Sequence, residues 1–219
     1  MLYLFDIDGT LIDTGGAGMQ ALREATLDIF GAAGPALDLA GSTDLGIAEV
    51  IHAHFGIPPE PQRIEDFFAV YHLRLHWQLA HGPHSGRVLA GVPAVLTELA
   101  RRPGATLGLL TGNTPDGAAA KLRHFKLDGF FAFGAFGEAH TDRNQLGPLA
   151  LERAAAHAGR RFTAAQTLVI GDTPKDIACA HAIGARCLAV ATGRFCAADL
   201  TFHGADRVVE SLDAALEWL

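Results

Sequence analysis

Apolar residues along the chain cluster in short continuous runs, and helical patterns separate these runs. A short apolar run between turn signals is typical of a buried parallel strand. Such runs lie at 2–5, 107–110, 167–170 and 187–190, with a shorter one at 207–209 before a predicted C-terminal helix. Helical patterns lie at 93–102, 117–125, 148–158 and 174–183. The alternation predicts an α/β fold with a doubly wound, Rossmann-like parallel sheet and helices on both faces.

One stretch breaks this alternation. Between residues 15 and 86 no strand pattern occurs, and apolar positions recur at helical spacing in 18–30 and 63–79. We therefore expect two domains. Residues 1–14 and 87–219 would form the α/β core, and residues 15–86, called the cap, would form an all-helical domain inserted after the first strand.

Composition narrows the class of protein. Of the 219 residues, 49% are hydrophobic and 19% are charged, which is enough apolar material for a buried core. Seventeen basic against 24 acidic residues leave a net charge of −7, which disfavours nucleic acid and anionic membranes as partners. Neither a signal peptide nor a membrane-spanning segment is expected. Three unpatterned cysteines, expected to be buried and reduced, favour a cytoplasmic protein, and the oligomeric state stays open.

Two aspartates follow the first predicted strand directly. Asp6 and Asp8 stand two residues apart in Asp6-Ile7-Asp8-Gly9-Thr10, so an extended backbone turns both carboxylates to one side. Adjacent carboxylates do not both ionise easily. Their separated pKa values would suit one as a nucleophile and metal ligand and the other as a proton donor. A turn rich in Asp and Gly, with no catalytic role, is the alternative.

A second motif, Thr111-Gly112-Asn113, follows the predicted strand at 107–110 and precedes a helical pattern. Free backbone N–H groups at such a helix start would bind phosphate oxygens, and Thr111 would add a hydroxyl donor. An ordinary N-cap and turn would account for the same residues.

A third motif follows the predicted strand at 167–170 and contains Asp172 and Asp176. Asp176 has a structural alternative, since it lies three residues after Thr173 as a capping-box partner would. Asp172 has none. Asp6 and Asp172, each after a strand, would form an oxygen-rich site for Mg²⁺ at the edge of the sheet where doubly wound folds bind ligands.

These three motifs, in this order and spacing, resemble those of the haloacid dehalogenase superfamily. With a helical insertion after the first motif, the chain is most similar to the helical-cap phosphatases of that group, such as phosphoglycolate phosphatase. The resemblance implies that Asp6 attacks phosphorus and forms an aspartyl-phosphate. It implies that Asp8 protonates the leaving oxygen and then activates water. Thr111, with Gly112 and Asn113, would bind the transferred phosphoryl group.

The resemblance also implies a Mg²⁺ cofactor. Its ligands would be Asp6, Asp172 and the main-chain carbonyl of Asp8, with Asp176 supporting the metal shell. The superfamily further expects a Lys-Pro whose lysine pairs with the nucleophile, and this chain has none. Counting back from the helical pattern at 148–158 puts Arg143 in that place. A guanidinium supplies the charge with a different reach, and Lys175 is the other nearby cation.

Two features of the cap invite functional interpretations. Asp44, in the segment 41–44, is a candidate substrate-binding residue because similar proteins place a cap loop near the site entrance, although a helix N-cap explains it equally well. Six of the 11 histidines lie in the cap, with His72 and His76 one helical turn apart. No His-Glu-x-x-His pattern accompanies them, so we expect residues of the cap surface, one or two of them in contact with substrate, rather than a zinc site.

The sequence thus predicts a Mg²⁺-dependent phosphatase that hydrolyses a small phosphorylated metabolite. The alternatives are a phosphomutase or another hydrolase on the same scaffold, and a non-catalytic binding protein with a decayed site. The second aspartate, Asp8, counts against a dehalogenase. The net charge does not exclude a phosphate ester, because Mg²⁺ and a cation such as Arg143 would reverse the local field of the acidic cluster.

Overall fold

The computed structural model describes residues 1–216 and 218–219 of the chain. Its strands are β1 (Leu2–Phe5), β2 (Ile12–Asp13), β3 (Arg87–Val88), β4 (Thr106–Leu110), β5 (Gly134–Ala135), β6 (Thr167–Gly171), β7 (Arg186–Val190) and β8 (Arg207–Val209). Its α-helices are α1 (Ala17–Phe30), α2 (Asp44–His54), α3 (Pro61–His81), α4 (Val92–Arg101), α5 (Pro115–His124), α6 (Leu146–Ala158), α7 (Pro174–Ala182) and α8 (Ala197–Phe202).

Six strands form one parallel sheet in the order β5-β4-β1-β6-β7-β8. Strand β1 is central and fully buried, and its side chains alternate between two apolar layers. Leu2 and Leu4 belong to the layer that contains α6 and α7, whereas Tyr3 and Phe5 belong to the layer that contains α4 and α5. The predicted doubly wound α/β fold is confirmed, and the five predicted strands match observed ones.

Helices α1, α2 and α3 pack around a separate apolar cluster, which includes Ile51, Phe67 and Leu75 and extends to Ala120 of α5. They lie between β2 and β3, which pair as a short antiparallel ribbon. An ion pair of 3.3 Å between Asp13 and Arg87 joins the two strands of this ribbon. The chain therefore enters and leaves the three helices at one place, next to the predicted bounds of the cap, and the division into two domains stays a prediction.

The structure corrects two expectations about secondary structure. Helix α2 has no counterpart among the predicted elements, because its apolar residues do not keep to one face: Ile47 and Ile51 are buried, whereas Val50 is 53% exposed. The predicted C-terminal helix is wrong for the described residues, since only a 3-10 turn at Leu212–Ala214 follows β8. This segment packs into the core through Leu212 and Ala215 instead of extending as a helix.

The cysteines only partly match their prediction. All three are free thiols, and Cys179 and Cys187 are buried as expected. Cys196, by contrast, is exposed at the start of α8, where its thiol lies 3.1 Å from Asp199 Oδ2. Among the described helices, none combines the length and apolar character that crossing a membrane requires.

Candidate active site

The carboxyl ends of β1, β4 and β6 open into a cavity of about 430 Å³. Loops after these strands supply one wall, and residues of the cap supply the opposite one. Eight of the candidate residues from the sequence line it: Asp6, Asp8, Asp44, Thr111, Gly112, Asn113, Arg143 and Asp172.

Arg143 is the cation that contacts Asp6. Its guanidinium Nη2 lies 3.1 Å from Asp6 Oδ1, forms an ion pair with Asp176 and donates to the Leu110 carbonyl at 3.1 Å. The side chain is 4% exposed, and its Nε has no hydrogen-bond partner in the part of the chain that the structure describes. Arg143 therefore lies where the resemblance to the superfamily predicts a lysine.

The buried carboxylates have strongly perturbed pKa values. Burial raises the pKa of Asp6 from 3.8 to about 6, with Arg143 opposing the rise and Asp176 adding to it. Burial, with the negative charges of Asp176 and Asp6, raises the pKa of Asp172 from 3.8 to about 9. Burial opposes the charge on Arg143, yet Asp176 and Asp6 raise its pKa overall. One guanidinium thus faces three carboxylates, and the cluster favours a further positive charge.

The donor set suits a hard divalent cation. Carboxylate oxygens of Asp6, Asp172 and Asp176 all lie within 4.8 Å of one another, and all three residues are buried. Thr10 Oγ1 donates to Asp172 Oδ1 at 3.1 Å and orients that carboxylate. A side chain at Gly193 would collide with Asp172, so a glycine leaves room for the carboxylate. Oxygen ligands of this kind are those that Mg²⁺ binds in proteins.

Asp176 differs from the other two carboxylates because both of its oxygens are engaged. Oδ1 pairs with Arg143, and Oδ2 accepts from Thr173 N at 3.0 Å and from Thr173 Oγ1 at 2.7 Å. These last bonds form the capping box of α7. The structural interpretation of Asp176 therefore holds, and the same residue also orients the cation that contacts Asp6.

Asp8 is held by a lysine that lies outside the three sequence motifs. Lys121 Nζ lies 2.7 Å from Asp8 Oδ2 and 2.6 Å from Asn113 Oδ1, while Asn113 Nδ2 donates to Asp8 Oδ2 at 2.8 Å. Lys121 lies on α5 with a side chain only 6% exposed. Helical spacing indicates that Lys121 is buried, because it lies three residues after Ala118 and directly before Leu122 on the buried face of α5.

The loop after β4 offers fewer free donors than the motif predicts. Thr111 N donates to Ala135 O at 3.0 Å, and Thr111 Oγ1 accepts from Asn113 N at 3.3 Å and from Asn113 Nδ2 at 2.8 Å. The main-chain N–H of Gly112 has no hydrogen-bond partner among the described residues. The expected cradle is therefore reduced to this N–H, together with the hydroxyl group of Thr111.

Cap residues 43 and 44 dock on the same loop. Thr43 caps α2, and Asp44 is its first residue, so the N-cap interpretation of this segment is correct. Asp44 N donates to Gly112 O at 2.7 Å, and Asp44 Oδ2 accepts from Thr114 N at 2.7 Å. A side chain at Gly112 would collide with the Ser42 carbonyl, so the close approach requires glycine. Asp44 thus joins the cap to the core as well as lining the cavity.

Lys175 and the cap histidines lie elsewhere. Lys175 Nζ donates to Ser42 Oγ at 2.8 Å, and its side chain lines a neighbouring groove rather than the site cavity. His52 is buried against Phe30, which corrects its expected place on the surface. None of the described histidines lines the site cavity.

Comparisons with known proteins bear on the fold and the family of this chain. A phosphoglycolate phosphatase from Cupriavidus necator is 28% identical over 96% of this chain and 89% of its own length. The structure of CbbY from Rhodobacter sphaeroides in complex with phosphate has a TM-score of 0.74 at 21% identity, covering 98% of this chain and 96% of that one. A hydrolase from Pseudomonas syringae has a TM-score of 0.73 at 21% identity, covering 100% and 97%. Both structures share the fold. The family model described as haloacid dehalogenase-like hydrolase matches residues 3–190, and the chain belongs to this family.

Proposed function

We propose that the protein is a Mg²⁺-dependent phosphatase that hydrolyses a small phosphate monoester through an aspartyl-phosphate on Asp6. The main support for the proposal is the contact of 3.1 Å between Asp6 and the buried Arg143, both of which line the cavity. An oriented carboxylate beside a fixed cation suits attack on a phosphoryl group, because the cation offsets the charge of the phosphoryl oxygens. The similarity to a phosphoglycolate phosphatase supports the same reaction class.

In the first step, a carboxylate oxygen of Asp6 forms a bond to phosphorus while the bond from phosphorus to the leaving oxygen breaks. Asp8 donates a proton to that oxygen, and the alcohol departs. In the second step, the Asp8 carboxylate takes a proton from a water molecule, which attacks the aspartyl-phosphate and releases inorganic phosphate. One residue thus serves as acid and then as base.

Cationic groups position the phosphoryl group. Arg143 neutralises charge beside Asp6, where its guanidinium lies 3.1 Å from the carboxylate. The hydroxyl of Thr111 and the N–H of Gly112 are further donors. Asp6, Asp172 and the Asp8 carbonyl would hold Mg²⁺, with Asp176 supporting this set, and the ion would supply the remaining positive charge.

The cap, residues 15–86, closes the cavity and selects the leaving group in this proposal. Contacts of Asp44 with Gly112 and Thr114 support it, since they tie the cap to the phosphate-binding loop. Closure would exclude water from the first step. Cytoplasmic localisation stays a prediction from the sequence.

The non-catalytic alternative rests on the missing Lys-Pro. The contact between Arg143 and Asp6 argues against a decayed site, because the position holds a cation within ion-pair distance of the nucleophile. No residue in the described part of the chain specifically favours the phosphomutase alternative.

Phosphate release from purified protein tests the proposal. A panel of phosphate monoesters, including 4-nitrophenyl phosphate, is incubated with Mg²⁺ or with EDTA. We expect release that depends on Mg²⁺ and returns when Mg²⁺ is added back in excess over EDTA. Absence of release from every ester in the presence of Mg²⁺, with the protein folded by circular dichroism, contradicts the proposal.

A further inference from the structure

The cap supplies no cation to the site cavity. Its sequence contains three arginines and no lysine. Arg63 lies 3.7 Å from Glu60, Arg74 lies 2.7 Å from Asp28, and Arg23 is exposed. None of these arginines lines the cavity, and neither does a cap histidine among the described residues. A leaving group held against the cap would therefore find no positive partner there.

The cap instead lines the cavity with apolar side chains. Met19 and Leu22 of α1 contribute to this wall, as do Leu39 and, from α2, Ile47. Ser42 and Tyr71 line it as well and add neutral hydroxyl groups, which carry no positive charge. With a volume of about 430 Å³, the cavity is large enough for a small organic ligand in addition to the phosphoryl group. These side chains would be well matched by a leaving group with an apolar face.

Among the described residues of the cap, Asp44 is the only one with a charged side chain that lines the cavity. It is 8% exposed and would repel a second anionic group. Cations of the core are already committed, Lys121 to Asp8 and Arg143 to Asp6. Arg194 lines the cavity as well, but it is 69% exposed and ion-paired with Asp38 at 2.9 Å.

From these observations we propose that the substrate is the phosphate monoester of a neutral alcohol with an apolar face. Alcohols that carry a carboxylate or a further phosphate, in addition to the phosphate that is hydrolysed, are disfavoured. The inference rests on the phosphatase function proposed above. It separates this chain from proteins of similar fold or sequence, one named as a phosphoglycolate phosphatase and one, CbbY, solved with xylulose-1,5-bisphosphate. Phosphoglycolate and xylulose-1,5-bisphosphate each carry a second anionic group.

Matched pairs of esters test the inference. Phenyl phosphate is compared with 4-carboxyphenyl phosphate, and ethyl phosphate with phosphoglycolate, by kcat/KM in the presence of Mg²⁺. We expect the carboxylated member of each pair to be worse by at least about tenfold, since an anion facing Asp44 and an apolar wall lacks a counter-charge. The carboxylate makes the phenolate a slightly better leaving group, so chemistry alone would favour the opposite order. Equal or higher kcat/KM for the carboxylated esters overturns the inference.

A variant of the cap gives a second readout. Met19→Arg places a cation on the cavity wall, so the carboxylated phenyl ester should gain at least about tenfold in kcat/KM relative to phenyl phosphate. Leu73→Arg is the matched control, because Leu73 is 71% exposed and does not line the cavity. An unchanged preference in a folded Met19→Arg protein contradicts the proposed binding mode.

Binding of phosphonates separates this inference from the reaction itself. Phenylphosphonate and 4-carboxyphenylphosphonate are titrated by calorimetry in the presence of Mg²⁺, and we expect the uncharged ring to bind at least about tenfold more tightly. If no ester is hydrolysed, the proposed phosphatase function fails. The phosphonate pair still decides the ligand class, and tighter binding of the carboxylated member overturns it.

Discussion

Lys121 Nζ lies 2.7 Å from Asp8 Oδ2 and connects helix α5 to the loop that follows β1. The lysine side chain is 6% exposed, whereas that of Asp8 is 42% exposed and lines the cavity. A buried cation thus holds one oxygen of a carboxylate that stays accessible to substrate. Asp8 Oδ1 has no hydrogen-bond partner among the described residues, which leaves it free for proton transfer.

Replacing Lys121 should therefore impair the proton-transfer steps more than substrate binding. We expect Lys121→Met to lower kcat by about tenfold to a hundredfold with a smaller change in KM, because Asp8 loses its main orienting partner. Lys121→Arg, which keeps the charge, should recover part of the loss. Steady-state kinetics on 4-nitrophenyl phosphate measure both parameters. A Lys121→Met protein with the kcat of the parent shows that Asp8 needs no such partner.

Arg143, rather than Lys175, should act as the cation at the nucleophile. Arg143→Met leaves Asp6 and Asp176 without their buried counter-charge, so we expect loss of activity and a fall of about 3–5 kcal/mol in the free energy of unfolding. Arg143→Lys should retain more of both quantities. Lys175→Met, which removes only an exposed contact with Ser42, should change the free energy of unfolding by less than about 1 kcal/mol. Urea denaturation and phosphate release compare the three variants, and equal losses for Lys175→Met and Arg143→Met refute the assignment.

Metal binding should appear as a stability change that depends on Asp172. Mg²⁺ should raise the melting temperature of the parent protein, because an added cation offsets the carboxylates that raise the pKa of Asp172 to about 9. Asp172→Asn should lose most of this rise. In EDTA the same variant should be at least as stable as the parent, since it removes one of three buried acids around a single guanidinium. An equal Mg²⁺-induced rise in both proteins contradicts the proposed ligand set.

Asp44 should make stability depend on pH. Burial raises its pKa from 3.8 to about 6, with Lys121 opposing the rise, so the folded protein binds a proton here that the unfolded chain has already released. The native state therefore loses stability as the pH increases from about 4 through about 6, by roughly 1–3 kcal/mol for this residue. Asp44→Asn should remove that part of the decline. Unfolding by urea at pH 4.5 and pH 7.5 measures it, and parallel pH dependences of the two proteins exclude this role of Asp44.

Sequence patterns predict the sheet well because each buried strand is a continuous apolar run. They also predict that Asp6, Asp8, Asp172 and Thr111 lie together, since the carboxyl ends of parallel strands share one edge of a sheet. These inferences depend on the edge that parallel strands share. They do not reach long-range contacts between individual side chains, which depend on side-chain direction and on how the helices and the cap pack.

Three parts of the site depend on such long-range contacts. Lys121 is 113 residues from Asp8, and nothing local separates it from a lysine on a solvent-exposed helix face except the apolar neighbours of α5. Asp44 meets Thr114 across the boundary between cap and core. The choice between Arg143 and Lys175 depends on the direction of two side chains, and their sequence positions do not determine it.

Trapping the phosphorylated enzyme shows whether Asp6 is the nucleophile. The protein is mixed with excess 4-nitrophenyl phosphate and Mg²⁺, quenched in acid during turnover, digested and analysed by mass spectrometry, with Asp6→Asn as the control. We predict a phosphoryl group on the peptide at Asp6 in the parent, no such peptide in the variant, and phosphate release at least about a thousandfold slower in the variant. Phosphate release by Asp6→Asn at the rate of the parent, or phosphorylation of another residue in its place, would show that Asp6 is not the nucleophile.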